Sequence, residues 1–405
     1  MSSESHSSLL DAIKGQPKQV WITAFAAVIA FMGIGLVDPI LLSIAKGLQA
    51  TPSEVTLLFS SYLGIQAVAM LVTGAASARF GAKRTVLVGL TLVVVATALC
   101  AAAGSIEQLV GLRAVWGLGN AFFIATALSV IVGAATGGQG GAILLYEAAL
   151  GVGLAVGPLL GALLGSISWR GPFLGTALLM AGALVLCSIF LKSDAHEKRP
   201  PIKLLDPFRA LGHPGLLRTS IGSALYTAAF FTVLAWSPFV LGWSAVAVGL
   251  IFCGWGLCVA VAGVLLAPKL AGRLGERHAT VVAVVGYAVL LLVMAVPSKP
   301  VLVVGIIASG IVSGLLNTLF TGTAMSISDA PRPVASAGYN FCRWLGGAVA
   351  ATLVGHVAEW FGSPQAPFVV AAVLCVVAGG LLSIKERKPD PKSVPAEAVL
   401  VGEEF

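Results

Sequence analysis

Long apolar runs alternate with short polar connections along the chain, and the alternation repeats twelve times. The runs fall at about 20–44, 55–76, 85–103, 107–132, 141–165, 171–191, 216–240, 244–267, 279–297, 300–326, 336–360 and 365–384. Each is near the roughly 20 residues of helix that cross a ~30 Å hydrocarbon core. Several contain Gly or Pro, which membrane helices tolerate because neighbouring helices re-satisfy the freed backbone groups. The pattern predicts an all-α membrane protein with twelve transmembrane helices.

The connections order these helices into two sets. The longest, "KSDAHEKRPPIKLLDPFRALGHPG" at 192–215, is charged and contains prolines, and it divides six runs from six. The expected organisation is therefore an N-terminal segment (1–19), a six-helix bundle (20–191), a central loop (192–215), a second six-helix bundle (216–384) and a polar, disordered tail (385–405). Within the loop, "IKLLDPFRAL" has the pattern of a short amphipathic helix on the membrane surface. Two echoes relate the halves. Arg79 and Gly81, after the second run, align with Arg273 and Gly275, after the eighth, at an offset of 194 (273 − 79). "YEAALGVGLAVG" from Tyr146 aligns with "YNFCRWLGGAVA" from Tyr339 at an offset of 193 (339 − 146). Two copies of a six-helix unit, pseudo-symmetric about an axis along the membrane normal, form a secondary-transporter architecture with its site between the copies.

Composition supports the membrane reading. The 405 residues are 58% hydrophobic and only 10% charged, with a mean hydropathy of +0.98. A soluble domain carries about a quarter charged residues. Nineteen of the 24 Lys and Arg fall on the side that holds both termini, three (Lys46, Arg170, Lys299) on the other, and Arg113 and Arg343 lie inside runs. Positive charge stays cytoplasmic, so both termini are expected in the cytoplasm of a cell with a bacterial-type inner or plasma membrane. The net charge of +7 then reflects topology and an anionic inner leaflet, and nucleic acid need not be invoked. Residues 1–20 are polar and no small-residue cleavage site follows the first run, which reads as a retained helix. All six cysteines lie in apolar runs with no C-x-x-C pair, so disulfide and zinc frameworks are poor fits. The histidines are scattered, and no metal or cofactor is expected.

Four stretches carry a resemblance. "GAASARFGAKR" (74–84) fits the loop pattern G-x-x-x-D-R-x-G-[RK]-[RK] at Gly74, Arg79, Gly81, Lys83 and Arg84, with Ala78 in place of the acid and Ala82 at a basic position. "LVGLRAVWGLGNA" (109–121) fits L-x-x-x-R-x-x-Q-G-x-G-x-A through Arg113, with Trp116 in place of Gln. "GLAVGPLLGA" (153–162) fits G-x-x-x-G-P-x-x-G-[GA] through Gly153, Gly157, Pro158 and Gly161. "FMGIGLVDPILLSIA" (31–45) carries a carboxylate before a proline, with Leu42 where a second proline often stands. From about 20 to 385 the chain resembles the Major Facilitator Superfamily, of the twelve-helix drug:proton antiporter type. The resemblance implies alternating access of two bundles, a loop at 74–84 that latches one state, and a glycine-proline segment in span five associated with export. Spaced four apart, those glycines also let helices approach closely, and contact with substrate is not expected of them.

Charges at the bilayer centre cost several kcal/mol, and those that persist usually serve a pathway. Four are candidates: Asp38, Arg113, Glu147 and Arg343. Asp38 lies eight residues before Lys46, about 12 Å below the surface at 1.5 Å per residue. Arg113 lies at nearly the same depth, six residues, or roughly 9 Å, past Glu107. In the family fold, spans one and four border one cavity, so Asp38 and Arg113 are expected to interact. Burial favours the neutral acid and a guanidinium favours the carboxylate, which would poise Asp38 to take a proton from outside and release it inside. A fixed salt bridge is the alternative. Glu147 is a second candidate proton or cation site. Arg343 is expected either to meet an anionic substrate group or to brace the halves, with Asn317 and Asn340 as neutral hydrogen-bonding groups. Phe31, Tyr62, Tyr226, Phe230, Trp236, Phe320 and Tyr339 are candidate cavity aromatics, which suit lipophilic substrates and stack on cations.

The functional expectation is a proton-coupled secondary transporter that exports small lipophilic or drug-like molecules, a monomer whose partners are substrate, protons and the bilayer. Proton-coupled uptake of a sugar, amino acid or organic acid is the alternative, and the glycine-proline segment tips the reading to export. A membrane receptor without transport fits the intramembrane charges and the repeat poorly. No G-x-x-x-x-G-K-[ST] loop is present, so ATP is not the expected energy source, and no catalytic constellation appears.

Overall fold

Helix-starting signals in the short connections set the ends of the spans. Thr51 accepts a hydrogen bond from the backbone N–H of Glu54, whose carboxylate accepts one from the Thr51 N–H at 2.7 Å, a capping box. Ser105 and Ser244 cap the fourth and eighth spans in the same way, each accepting a hydrogen bond from the residue three positions on. The computed structural model describes residues 15–135, 139–192, 205–328 and 330–384, with 139–144, 147, 148, 332 and 333 described by backbone alone.

Among the described residues, twelve helices are long and apolar enough to cross a membrane. They are α1 (Lys18–Leu48), α2 (Pro52–Phe80), α3 (Ala82–Ala102), α4 (Ile106–Ala134), α5 (Gln139–Ile167), α6 (Gly171–Phe190), α7 (Pro214–Leu241), α8 (Ala245–Leu274), α9 (Glu276–Met294), α10 (Lys299–Ser326), α11 (Arg332–Trp360) and α12 (Ala366–Ser383). The face at which α1 begins and α12 ends is called here the terminal face.

The packing repeats with a shift of six helices. In the first set α1 packs on α5, α2 on α4, α3 on α4 and on α6, and α1 on α6 and on α4. In the second set α7 packs on α11, α8 on α10, α9 on α10 and on α12, and α7 on α12 and on α10. Two seams join the sets, α2 with α11 and α5 with α8. Both are lined with small residues. Gly64 faces Ala348, and Gly347 sits beside Leu63. Gly151 faces Ala260, and Gly256 lies on the backbone of Leu154 and Ala155. With no hydrophobic drive between helices in lipid, such close approach supplies the van der Waals contact that holds a seam.

The echo between Gly81 and Gly275 is conformational as well as sequential. Gly81 has φ 86° and ψ 151°, and Gly275 has φ 75° and ψ 149°. Only glycine enters this region readily, so each lets the chain turn directly from one span into the next. α8 departs from α geometry late in its course: it contains a π turn at Ala262–Leu266 ahead of Pro268. Proline has no N–H to give, and Thr318 of α10 donates to the Gly263 carbonyl instead, at 3.2 Å.

The expected amphipathic segment yields a short helix, Asp206–Ala210. It docks on α11, with Phe208 and Phe341 ring centroids 5.5 Å apart and Gly338 against Pro207 and Leu211. The expectations for 1–14, 193–204 and the tail from Lys385 lie outside the described residues.

Candidate functional site

Asp38 stands where α1 loses its winding. The helix runs regularly from Lys18 to Gly35, gives way to a 3₁₀ turn at Asp38–Ile40 and resumes at Leu41. Pro39 withholds the N–H that would continue the ladder. Asp38 is fully buried, and neither carboxylate oxygen has a hydrogen-bond partner.

The glycine-proline segment of α5 holds this break. Gly153 lies against Val28 and Phe31, Gly157 against Met32, and Gly161 against Leu36. A Cβ on Gly157 would stand 2.5 Å from the Met32 carbonyl oxygen, and one on Gly35 would stand 3.1 Å from the Pro158 ring and 3.7 Å from Asp38 Oδ2. The two backbones therefore run in contact up to the turn that carries the acid. The helix these glycines pack on is α1.

Arg113 of α4 is fully buried nearby. Its Nε donates to the Leu58 carbonyl at 3.3 Å. Its guanidinium carbon lies 4.4 Å from the Tyr62 ring centroid and 4.4 Å from that of Trp116, which meet edge to face. Neither Nη has a hydrogen-bond partner. The Trp116 that replaces the family's Gln thus forms one wall of an aromatic slot and packs on Gly33 of α1. Tyr62 also receives a hydrogen bond from Asn120. Asp38 and Arg113 are near enough for their charges to act on one another, yet the ion pairs recorded among the described residues are Asp206–Arg209 and His356–Glu359. The fixed salt bridge considered for Asp38 and Arg113 is absent in this conformation.

The second set holds a different cluster. Tyr226 donates toward the Ser313 carbonyl and Asn317 Oδ1, each at 3.2 Å. Arg343 Nη2 donates to the same Asn317 oxygen at 2.9 Å. Tyr226 stacks on Phe320, centroids 5.8 Å apart at 15°, and meets Phe230 and Tyr287 edge to face. Ser223 donates to the Tyr339 hydroxyl at 3.1 Å. Asn340 turns back on its own helix, donating to the Ser336 carbonyl and hydroxyl. Phe31 packs edge to face on Tyr146 at 5.6 Å. Trp236 lies toward the face opposite the termini, where its Nε1 donates to the Pro364 carbonyl at 2.8 Å. That bond anchors the α11–α12 turn, away from the Tyr226 cluster. Glu147 is on α5, outside the described side chains.

Gln66 and Asn120 escaped the sequence reading. Gln66 is one turn beyond Tyr62, fully buried, with neither amide atom partnered. A polar residue four positions from an aromatic inside an apolar run was the available signal. Arg79, Lys83 and Arg84, with Arg273, lie at the terminal face around the two glycine turns, and Gly74 lies one turn earlier in α2.

On the face opposite the termini the halves are tied together. Ser53 of α2 donates to Glu359 of α11 at 2.8 Å, and Gly355 leaves room for Ser53. The broken end of α1 also touches α7 and α8 there.

Known proteins share this arrangement. The chain is 44% identical to the multidrug efflux protein YfmO of Bacillus subtilis (strain 168), over 92% of its own length and 94% of that protein's. It is 29% identical to the class C tetracycline resistance protein of Escherichia coli, over 62% and 66% of the two lengths. Its fold superposes on the human organic anion transporter MFSD10 (TETRAN) with a TM-score of 0.71 at 19% identity, covering 91% of this chain and all of the other. The Major Facilitator Superfamily pattern matches residues 23–351 and again 240–402. With twelve spans packed as two repeats and an acid at the break of the first helix, the chain belongs to the Major Facilitator Superfamily.

Proposed function

We propose that the protein is a proton-coupled exporter of small lipophilic molecules that works by alternating access, with Asp38 as its principal proton carrier. The observation that carries this reading is the Asp38 carboxyl, sealed from water, unpaired, and set at a helix break beside a caged guanidinium. A buried carboxylate without a partner is expensive, and a proton removes that expense. Protonation therefore favours a closed, dry environment, and deprotonation favours a conformation in which water reaches the acid. When substrate and proton favour different states, the two are coupled. Glu147 is the proposed second proton site. The likeness to YfmO, along nearly all of both chains, supports efflux as the direction.

In the proposed orientation the terminal face is cytoplasmic and the Ser53–Glu359 contact closes the outer face, so this conformation faces inward. The protein acts as a monomer. The loop at 74–84 bears on the outward-facing state when the cytoplasmic face closes, a latch weakened by Ala78 standing where the family carries an acid.

The test uses inside-out membrane vesicles and a neutral fluorescent probe, anthracene-9-carboxamide. An acidic lumen drives probe into the vesicles, and nigericin, which collapses the proton gradient, stops it. Accumulation driven only by an alkaline lumen would overturn antiport in favour of symport.

A further inference from the structure

The two intramembrane arginines differ in what they offer a substrate. Arg113 is fully buried between two rings. Arg343 is half-buried, as are Asn317 and Asn340. Its exposure is not toward lipid. The lipid-facing stripe of α11 is Leu345, Val349 and Leu353, which are 38%, 50% and 40% exposed. At 3.6 residues per turn, Arg343 lies about 160°, 120° and 80° around the helix from Leu345, Val349 and Leu353 in turn. Its hydrogen bond to Asn317 of α10 and its charge acting on Tyr226 of α7 place it on the inner wall. There it has no carboxylate partner among the described ion pairs. Asn317 takes one Nη2 hydrogen, and Nε has no partner.

A guanidinium held by a neutral amide on an inner wall, with donors left over, is suited to an oxyanion. Its planar fork matches a carboxylate in two hydrogen bonds. The stacked pair of Tyr226 and Phe320 adjoins it through the shared Asn317 oxygen, both rings buried in an apolar aromatic cluster. The approach is basic as well. Arg79, Arg84, Lys269 and Arg273 are exposed at the terminal face, and among the described residues the acids there, Glu276 and Asp206, are engaged by Thr323 at 3.5 Å and by Arg209 at 3.2 Å. Such a rim raises the local concentration of anions.

We propose that Arg343, buttressed by Asn317, is the recognition point for an acidic group, and that the exported class is lipophilic molecules bearing a carboxylate or comparable oxyanion. This inference rests on the export reading and names its substrate class. It also resolves the choice left open for Arg343 in favour of substrate over bracing.

The experiment compares binding of anthracene-9-carboxylate and anthracene-9-carboxamide to the purified protein by fluorescence titration. Wild type binds the carboxylate at least about tenfold more tightly, the scale of a charge-assisted hydrogen-bonded pair. Arg343→Gln brings the ratio to about one while carboxamide affinity stays within about threefold, which also reports a folded protein. Arg343→Lys keeps an intermediate ratio, because the charge remains and the fork is lost. Asn317→Ala leaves the charge and reduces the ratio by about threefold, a second reading that does not depend on the glutamine variant folding. Equal affinity of wild type for the two probes, or an unchanged ratio in either Arg343→Gln or Asn317→Ala, overturns the proposal. Failure of carboxamide transport in vesicles with the carboxylate preference intact would instead count against export.

Discussion

At the scale of single residues, the geometry divides the charged groups by what surrounds them. Asp38 has no hydrogen-bond partner, Arg113 has one carbonyl and two rings, and no ion pair spans the gap between them. Replacing Trp116 with Gln, the residue the family pattern carries, removes one face of the slot around Arg113. A desolvated cation–π contact is worth about 2 kcal/mol, and the amide offers a hydrogen bond in its place. The expected outcome is a folded protein with a slower transport rate and a thermal midpoint lowered by a few degrees, read from a melting curve in detergent. Asp38, Arg113 and Arg343 were legible in the sequence because charge inside an apolar run is conspicuous. The slot was not, since it is built from α2 and α4, and no spacing along one helix reveals which ring a neighbouring helix will supply. The partner of the Trp236 N–H was hidden for a related reason: it is the backbone of the α11–α12 turn, far along the chain.

At the scale of elements, small residues decide how closely the helices run. A side chain on Gly157 meets the Met32 carbonyl of α1. Overpacking of this kind costs about 1–3 kcal/mol. Gly157→Val is expected to lower the melting temperature and to depress transport out of proportion, because it pushes α5 off the turn that presents Asp38. A thermal melt and a vesicle assay on the same preparation separate the two effects. The positive-φ turns behave differently. Gly81→Ala and Gly275→Ala meet no neighbouring atom within 4 Å, so their cost is conformational, about 1–2 kcal/mol each. The two losses are expected to add, since the turns lie in different repeats, and a double variant melting no lower than either single would contradict this. The periodicity of twelve runs and the turn echoes were readable from residue order, because span length and glycine conformation are local properties. The π turn of α8 was not readable, since it depends on Thr318 of another helix accommodating the carbonyl that Pro268 leaves unpaired.

At the scale of the whole molecule, the two repeats meet along two glycine-lined seams and one polar contact. The Ser53–Glu359 bond crosses between the halves from a buried hydroxyl to an exposed carboxylate, with His356 3.4 Å from the other carboxylate oxygen. Solvent screens the exposed carboxylate, so the contact biases a balance between two states without locking it. Ser53→Ala is expected to shift the population toward the state open at that face. Spin labels at Thr51 and Phe361 would show a longer mean distance in the variant, and an unchanged distribution would remove the contact from the gating role. The whole arrangement turns on Asp38 changing charge as the halves rock, and one comparison tests that most directly. Asp38→Asn is reconstituted in proteoliposomes, and transport of anthracene-9-carboxamide is followed with and without a proton gradient. The account predicts that exchange of labelled for unlabelled probe survives while gradient-driven accumulation is lost. Accumulation at the wild-type level would contradict it.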